Sequence, residues 1–154
     1  MLNNFATLGN DPVMVVIFTA SFAQIGVVLA ILLKSKDKRL KGIALPAFIT
    51  GIFGITEPAI YGVTLPRQKY FLISCIGAAI GGALIAFWEV KVYVFGAMGI
   101  FEYPTFINPA TNDLSGMYYG IIASLIAFAA GFFMTYPIYG DEDSGGSQET
   151  ADNE

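Results

Sequence analysis

From Val13 to Leu33 the chain runs for 21 residues with only Thr19, Ser21 and Gln24 interrupting an apolar composition, and Lys34, Lys36, Lys38, Arg39 and Lys41 follow at once. At 1.5 Å rise per residue, such a run covers the ~30 Å hydrocarbon layer of a bilayer. The rest of the sequence agrees with a lipid environment. Of its 154 residues 55% are hydrophobic and 13% charged, about half the charge of an ordinary globular chain, and the mean hydropathy is +0.64. The length suits one membrane module rather than two domains. The first run is not read as a cleaved signal peptide: no Lys or Arg precedes Lys34, and the first charge is Asp11.

The residue counts remove several kinds of chemistry. There is no histidine and a single cysteine, Cys75, so imidazole acid–base work, phosphohistidine, disulfides and thiolate clusters are excluded, and neither a metal site nor a cofactor is expected. Six of the twelve acids lie in the last fourteen residues, which leaves the body slightly basic. The basic cluster from Lys34 to Lys41 directly follows an apolar run, so it reads as a membrane-surface anchor and not as a nucleic-acid stripe. Each cation there contributes ~1 kcal/mol of attraction to anionic lipid.

The cations also set direction. The positive-inside bias places the Lys34–Lys41 loop in the cytoplasm, so the first helix runs from outside to inside. The next apolar stretch, Ile43 to Val63, holds Pro46, Gly51, Gly54, Pro58 and Gly62 around Thr56 and Glu57. Proline removes a ladder donor and biases its predecessor, here Glu57, toward an extended conformation. Loose backbone groups at membrane depth need protein or a wet cavity to receive them, so this stretch is expected to be a broken, re-entrant hairpin. Returning to the cytoplasmic side, it puts Arg67 and Lys69 beside the first basic loop. Tyr70 to Trp88 then crosses outward, Val92 to Ile107 is a partial or re-entrant element, and Ser115 to Tyr139 crosses back. Small residues such as Gly77 and Gly81, the line Gly116, Gly120 and Ser124, and the line Ala123, Ala127 and Gly131 predict close helix packing. Residues 141–154, acidic and without large apolar side chains, are expected to be a disordered tail.

Glu57 is the residue with most to explain. A charge at the centre of a membrane helix costs ~2.5–3.5 kcal/mol, and such residues mark a pathway or a buried partner. One reading has the carboxylate accepting hydrogen bonds from a polar solute at the hairpin tip, as in transporters with discontinuous helices. The other has it capping loose amides or pairing with a cation. The residues themselves leave both open.

The segment Leu45-Pro46-Ala47-Phe48, followed by Gly51-Ile52-Phe53-Gly54-Ile55-Thr56-Glu57-Pro58-Ala59-Ile60-Tyr61-Gly62-Val63-Thr64-Leu65-Pro66-Arg67, closely resembles the membrane subunit, enzyme IIC, of the bacterial sugar phosphotransferase system. The nearest branch is the glucose and glucoside superfamily, beta-glucoside type. Gly96 to Phe101 and Phe106-Ile107-Asn108-Pro109 are similar to the same family, and the resemblance runs from about Phe22 to about Tyr139. It implies an all-α, polytopic integral membrane protein with about three transmembrane helices and one or two re-entrant hairpins, multi-pass in the bacterial cell membrane. Residues 1–140 would then be the carboxy-terminal part of a IIC domain.

The implied activity is that of a phosphoenolpyruvate-dependent permease. It binds and translocates a beta-glucoside-like sugar, which a IIB domain phosphorylates from a phosphocysteine charged by a IIA phosphohistidine. The family's sugar-contacting glutamate falls on Glu57, with Thr56 and Pro58 shaping the loop; an ionised carboxylate offers two acceptor oxygens to adjacent hydroxyls. Implied partners are the sugar, the amino-terminal IIC portion, the IIB and IIA domains, membrane lipid and a second copy in a homodimer.

The chain departs from a whole permease in that it holds no phosphoacceptor. Cys75 sits in a span without the basic surroundings that lower a thiol pKa and reads as packing, so no catalytic residue is expected here, and the enzyme as a whole is a phosphohistidine–sugar phosphotransferase to which this chain contributes a component. Trp88, Tyr70 and Tyr93 lie at span ends and read as interfacial anchors rather than sugar-stacking rings. Glu89 and Lys91 read as solvated, Arg67 and Lys69 as topology-setting more than as contacts for a IIB domain, and Glu102 as a lesser candidate for gating or substrate contact. Two other readings share these residues: a non-transporting remnant or assembly partner, and half of an ion-coupled secondary transporter using Glu57 as a proton or cation site. The identity of the sugar is not legible from a single contact.

Overall fold

The computed structural model describes residues 7, 9–94, 98–108, 110–111 and 113–140. The acidic segment 141–154 and Gly96 lie outside the described residues. The chain folds as helices in the order α1 (Pro12–Lys34), α2 (Lys38–Ile52), α3 (Glu57–Ala59) with a π-helical continuation (Ile60–Thr64), α4 (Gln68–Phe87), a 3₁₀ segment (Gly99–Phe106) and α5 (Ser115–Ile138). Among the described residues the only β pairings are two isolated bridges, Asp11 with Val92 and Asn108 with Asp113. The helices α1, α4 and α5 are long and apolar enough to cross a membrane. The protein is thus an all-α, polytopic membrane protein.

Small residues decide how these three helices meet. Added at Gly77, a Cβ would lie 3.2 Å from the Ala23 Cβ of α1 and 3.3 Å from the Ala127 carbonyl of α5. At Gly81 it would lie 2.7 Å from Ala127 Cβ and 2.9 Å from Thr19 Cβ. Gly26 faces the Phe128 carbonyl, and Gly131 faces that of Ala23. Backbones this close exchange dispersion contacts that larger side chains would prevent. The line Ala123, Ala127 and Gly131 is therefore a helix–helix seam, as its spacing predicts.

The second small-residue line does something else. Gly116 and Gly120 receive the backbone and ring of Phe106, and Ser124 Oγ lies 2.7 Å from Tyr103 Oη. The line accommodates the 3₁₀ segment rather than a helix. Phe18 joins this site, its ring 5.1 Å from Tyr103 and 5.2 Å from Phe106, both edge-on, the arrangement the ring quadrupole favours.

Apolar side chains gather into two cores. One, at the lysine end, includes Val27, Ile31, Leu40, Ala47, Val63, Tyr70 and Tyr139; the other, at the opposite end, includes Val15, Phe18, Ile85, Val92 and Phe106. Tyr70 is fully buried, with its ring centroid 5.5 Å from that of Tyr139. It is a core residue and not the interfacial anchor its place at a span end suggests, because the hairpin and the end of α5 fold over it. Lys34 Nζ donates to the Tyr136 carbonyl at 2.7 Å and lies 5.3 Å from the centre of the Tyr136 ring. A cation there satisfies a carbonyl at the negative end of α5 and ties the ends of α1 and α5 together.

Candidate functional site: the hairpin tip

The hairpin begins where Asp37 Oδ1 accepts from the Arg39 amide at 2.8 Å and caps α2. Contrary to the break expected from Pro46, α2 continues through it to Ile52. Pro46 and Gly42, whose carbonyl loses its usual donor, both lie on the exposed side of α2, where the missing bond strands nothing in the core. The break comes later. Gly54, with φ +91°, turns the chain back; the Thr50 carbonyl accepts from Phe53 N at 3.1 Å and Ile55 N at 3.0 Å, and the Gly51 carbonyl from Gly54 N at 2.9 Å. Gly51 itself packs against the Ile25 side chain with no room for a Cβ. The two arms then lie side by side with a four-residue turn, residues 53–56, between them.

The returning arm starts at Glu57. Although Pro58 disfavours a helical predecessor, Glu57 is the first residue of α3. A proline in a first turn gives up an amide that has no intrahelical acceptor anyway, so the helix can begin there. After Ala59 the arm widens: Leu65 N donates to the Ile60 carbonyl at 2.7 Å, a five-residue step. The cause is visible at Thr64. Its hydroxyl lies 3.4 Å from the carbonyls of both Ala59 and Ile60 and takes a short hydrogen bond from Gln24 Nε2 of α1. A π-turn of this kind often marks a functional position.

These constraints fix the predicted residues as follows. Glu57 and Pro58 are exposed and Thr56 is half-buried. The Glu57 carboxylate makes neither a cap nor an ion pair with any described residue. Thr56 lines a cavity of about 290 Å³ between the hairpin, α1 and α4, whose wall includes Ile17, Ser21, Gln24, Phe71 and Cys75. Cys75 is exposed on that wall and so is not the packing residue its apolar surroundings suggest. Ser21 and Gln24 read in sequence as mere interruptions of a span. Their three-residue spacing, continued by Ile17 and Ala20, is the helical stripe that would have placed them on one face.

The second connecting segment comes to the same turn from the other end. Gly99, at φ +58°, lies against the backbone of Ile52, Phe53 and Gly54, and a Cβ on Gly54 would sit 2.6 Å from Gly99 N. Phe53 and Phe101 stack with centroids 6.0 Å apart and 25° between planes. Glu102 follows; it is 7% exposed, and burial pushes its carboxyl up to about 7. Arg67 Nη1 lies 3.5 Å from the Val63 carbonyl, below the hairpin.

A carboxylate at the apex of a helix–turn–helix, two glycine turns in backbone contact and a bundle held by small residues make a specific combination. Comparison of the sequence with known proteins identifies the family. The family model described as "Phosphotransferase system, EIIC" matches residues 2–79. The chain is 50% identical over 124 residues to a protein of Halalkalibacterium halodurans named a PTS system beta-glucoside-specific EIIBCA component, covering 80% of this chain and 19% of that protein. The like-named proteins of Dickeya chrysanthemi and Bacillus subtilis are 43% identical over 129 residues and 38% identical over 156. Those alignments cover 84% and 100% of this chain and 20% and 25% of the relatives. The chain thus spans about a fifth to a quarter of the curated relatives it matches. No solved structure gives a significant match. With a family model covering half the chain, and relatives carrying the same stretch within longer proteins, the chain belongs to the phosphotransferase system EIIC family.

Proposed function

We propose that this chain is the carboxy-terminal part of a phosphoenolpyruvate-dependent permease that binds a beta-glucoside-like sugar and presents it for phosphorylation by a IIB domain. The permease acts as a homodimer in the bacterial cell membrane, with the amino-terminal IIC portion completing its substrate site. Glu57 accepts hydrogen bonds from two neighbouring sugar hydroxyls, while Thr56 and Pro58 set the turn that presents it. The IIB phosphocysteine, charged by IIA, supplies the phosphoryl group. What supports this most is the exposed Glu57 carboxylate, held without a partner among the described residues at the apex of the turn and beside a cavity of about 290 Å³. An unpaired charge among apolar segments is costly unless a ligand uses it.

The test is Glu57→Gln, expressed together with the amino-terminal IIC portion and the IIB and IIA domains. The amide keeps the shape but loses one acceptor and the charge, so sugar uptake and phosphorylation are expected to fall at least tenfold to a hundredfold, the equivalent of roughly 1.5–3 kcal/mol for hydrogen bonds to a charged group. Unchanged sugar binding by the variant would overturn the assignment. Uptake that continues without phosphoenolpyruvate would point instead to an ion-coupled transporter.

A further inference from the structure

At the end of the bundle opposite the lysine cluster, a cavity of about 160 Å³ opens between the end of α4 and the start of α5, bordered by Trp88, Lys91, Tyr93, Asn108, Asp113 and Ser115. Trp88 and Tyr93 meet there, the two rings of the sequence's three aromatic candidates that are not lost to the core. Trp88 is half-buried and stacked on Tyr119, centroids 5.1 Å apart and planes at 21°, so its ring is held in place. Glu89 adopts φ +49°, a left-handed conformation unusual for a side chain other than glycine or asparagine. It ends α4 and swings Lys91 and Tyr93 round to the same cavity.

The polar atoms on this wall have capacity to spare. Asn108 Oδ1 accepts from Ala110 N at 2.9 Å, whereas its amide nitrogen has no partner among the described residues. The Lys91 ammonium likewise has none. The Asp113 carboxylate accepts from Ser115 N at 2.9 Å and Ser115 Oγ at 2.8 Å, one bond on each oxygen, and each oxygen retains a further lone pair. These bonds hold its carboxyl below the usual carboxylate range. Donors, an acceptor and an indole therefore border one small space.

That mixture selects a chemistry. An anion would meet Asp113 and Glu89, and a purely apolar ligand would leave the Asn108 amide and the Lys91 ammonium unused. A pyranose offers both halves: hydroxyls that donate and accept, and a C–H face whose positive hydrogens suit the negative face of an aromatic ring. We infer that this cavity is a second saccharide site, separate from Glu57, in which Trp88 and Tyr93 contact the sugar ring while Asn108, Lys91 and Asp113 bind its hydroxyls. This rests on the reading of the chain as part of a sugar permease.

Trp88 is the chain's sole tryptophan, so its emission reports on this cavity directly. Methyl β-D-glucoside, which does not absorb where tryptophan does, is titrated into the detergent-solubilised chain. The expected result is a saturable change in emission together with reduced acrylamide quenching, because the sugar covers the indole. Asn108→Ala and Lys91→Gln should each weaken the response roughly fivefold to tenfold, with helical circular dichroism unchanged to show that the variant is folded, while Glu57→Gln should leave it intact. A silent Trp88, an emission change without shielding from acrylamide, a response indifferent to both wall substitutions, or one that vanishes with Glu57→Gln would each overturn the assignment. The two readings fail separately: uptake that depends on Glu57 with a silent Trp88 removes only the second site, and a responsive Trp88 with Glu57-independent uptake removes only the first.

Discussion

A methyl group added at Gly54 or Gly99 has nowhere to go. Both residues hold positive φ, and the Cβ of either would meet the backbone of the other's turn. Gly99→Ala is therefore expected to destabilise the fold by about 2–3 kcal/mol, read from thermal unfolding in detergent by helical circular dichroism. Gly42→Ala, where the new Cβ meets nothing, should be neutral or stabilising by up to ~1 kcal/mol in the same assay. Glu102 gives a pH signature. Its folded-state carboxyl titrates near 7, above the ordinary value, so the folded protein holds that proton more tightly than the unfolded chain. The contribution of Glu102 to stability should be full below about pH 4.5, be lost as pH rises through 7, and stay lost above it, with Glu102→Gln removing a slope of at most about 3 kcal/mol in total. A flat pH profile for the unsubstituted protein across that window would remove the effect. At this scale the sequence identified Glu57 as the charge needing explanation, because an acid amid apolar and helix-breaking residues is conspicuous. It could not show that Tyr70 is covered or Cys75 exposed, since both depend on which segment lies over a span.

Elements were legible in proportion to the length of their periodic run. The three spanning helices follow from uninterrupted apolar stretches, and the hairpin from its glycines and prolines, although α2 carries Pro46 without breaking and turns only at Gly54. The π-turn at Ile60–Thr64 was hidden, because its cause is a residue forty positions earlier: Gln24 reaching Thr64 across the helix interface. Thr64→Val should cost about 1–3 kcal/mol by stranding the buried Gln24 amide. The double variant with Gln24→Leu should cost less than the sum of the singles, and strict additivity in equilibrium unfolding would show that the pair is not coupled. The 3₁₀ segment was legible only as a short apolar stretch. The glycine line on α5 that receives it has the spacing of a helix seam, and sequence spacing does not distinguish a helix backbone from a phenylalanine ring as its occupant.

Across the whole molecule, charge and small residues divide the work. Cations at one end close the bundle through Lys34 and the Tyr136 carbonyl, while glycines bring α1, α4 and α5 close enough to act as a frame for the two connecting segments. The wall formed by Ser21, Gln24, Thr56 and Cys75 is open to the outside of that frame, which makes Cys75 a reporter for it. N-ethylmaleimide should label Cys75 in the folded protein, and on the function proposed above a beta-glucoside should slow that labelling once the amino-terminal IIC portion is present; a thiol unreactive until denaturation would mean the wall is closed. The touching glycine turns have a mechanical corollary. Neither connector can withdraw from the middle of the protein without parting Phe53 from Phe101 and leaving its counterpart unsupported, so a displacement of either one is transmitted at once to the other.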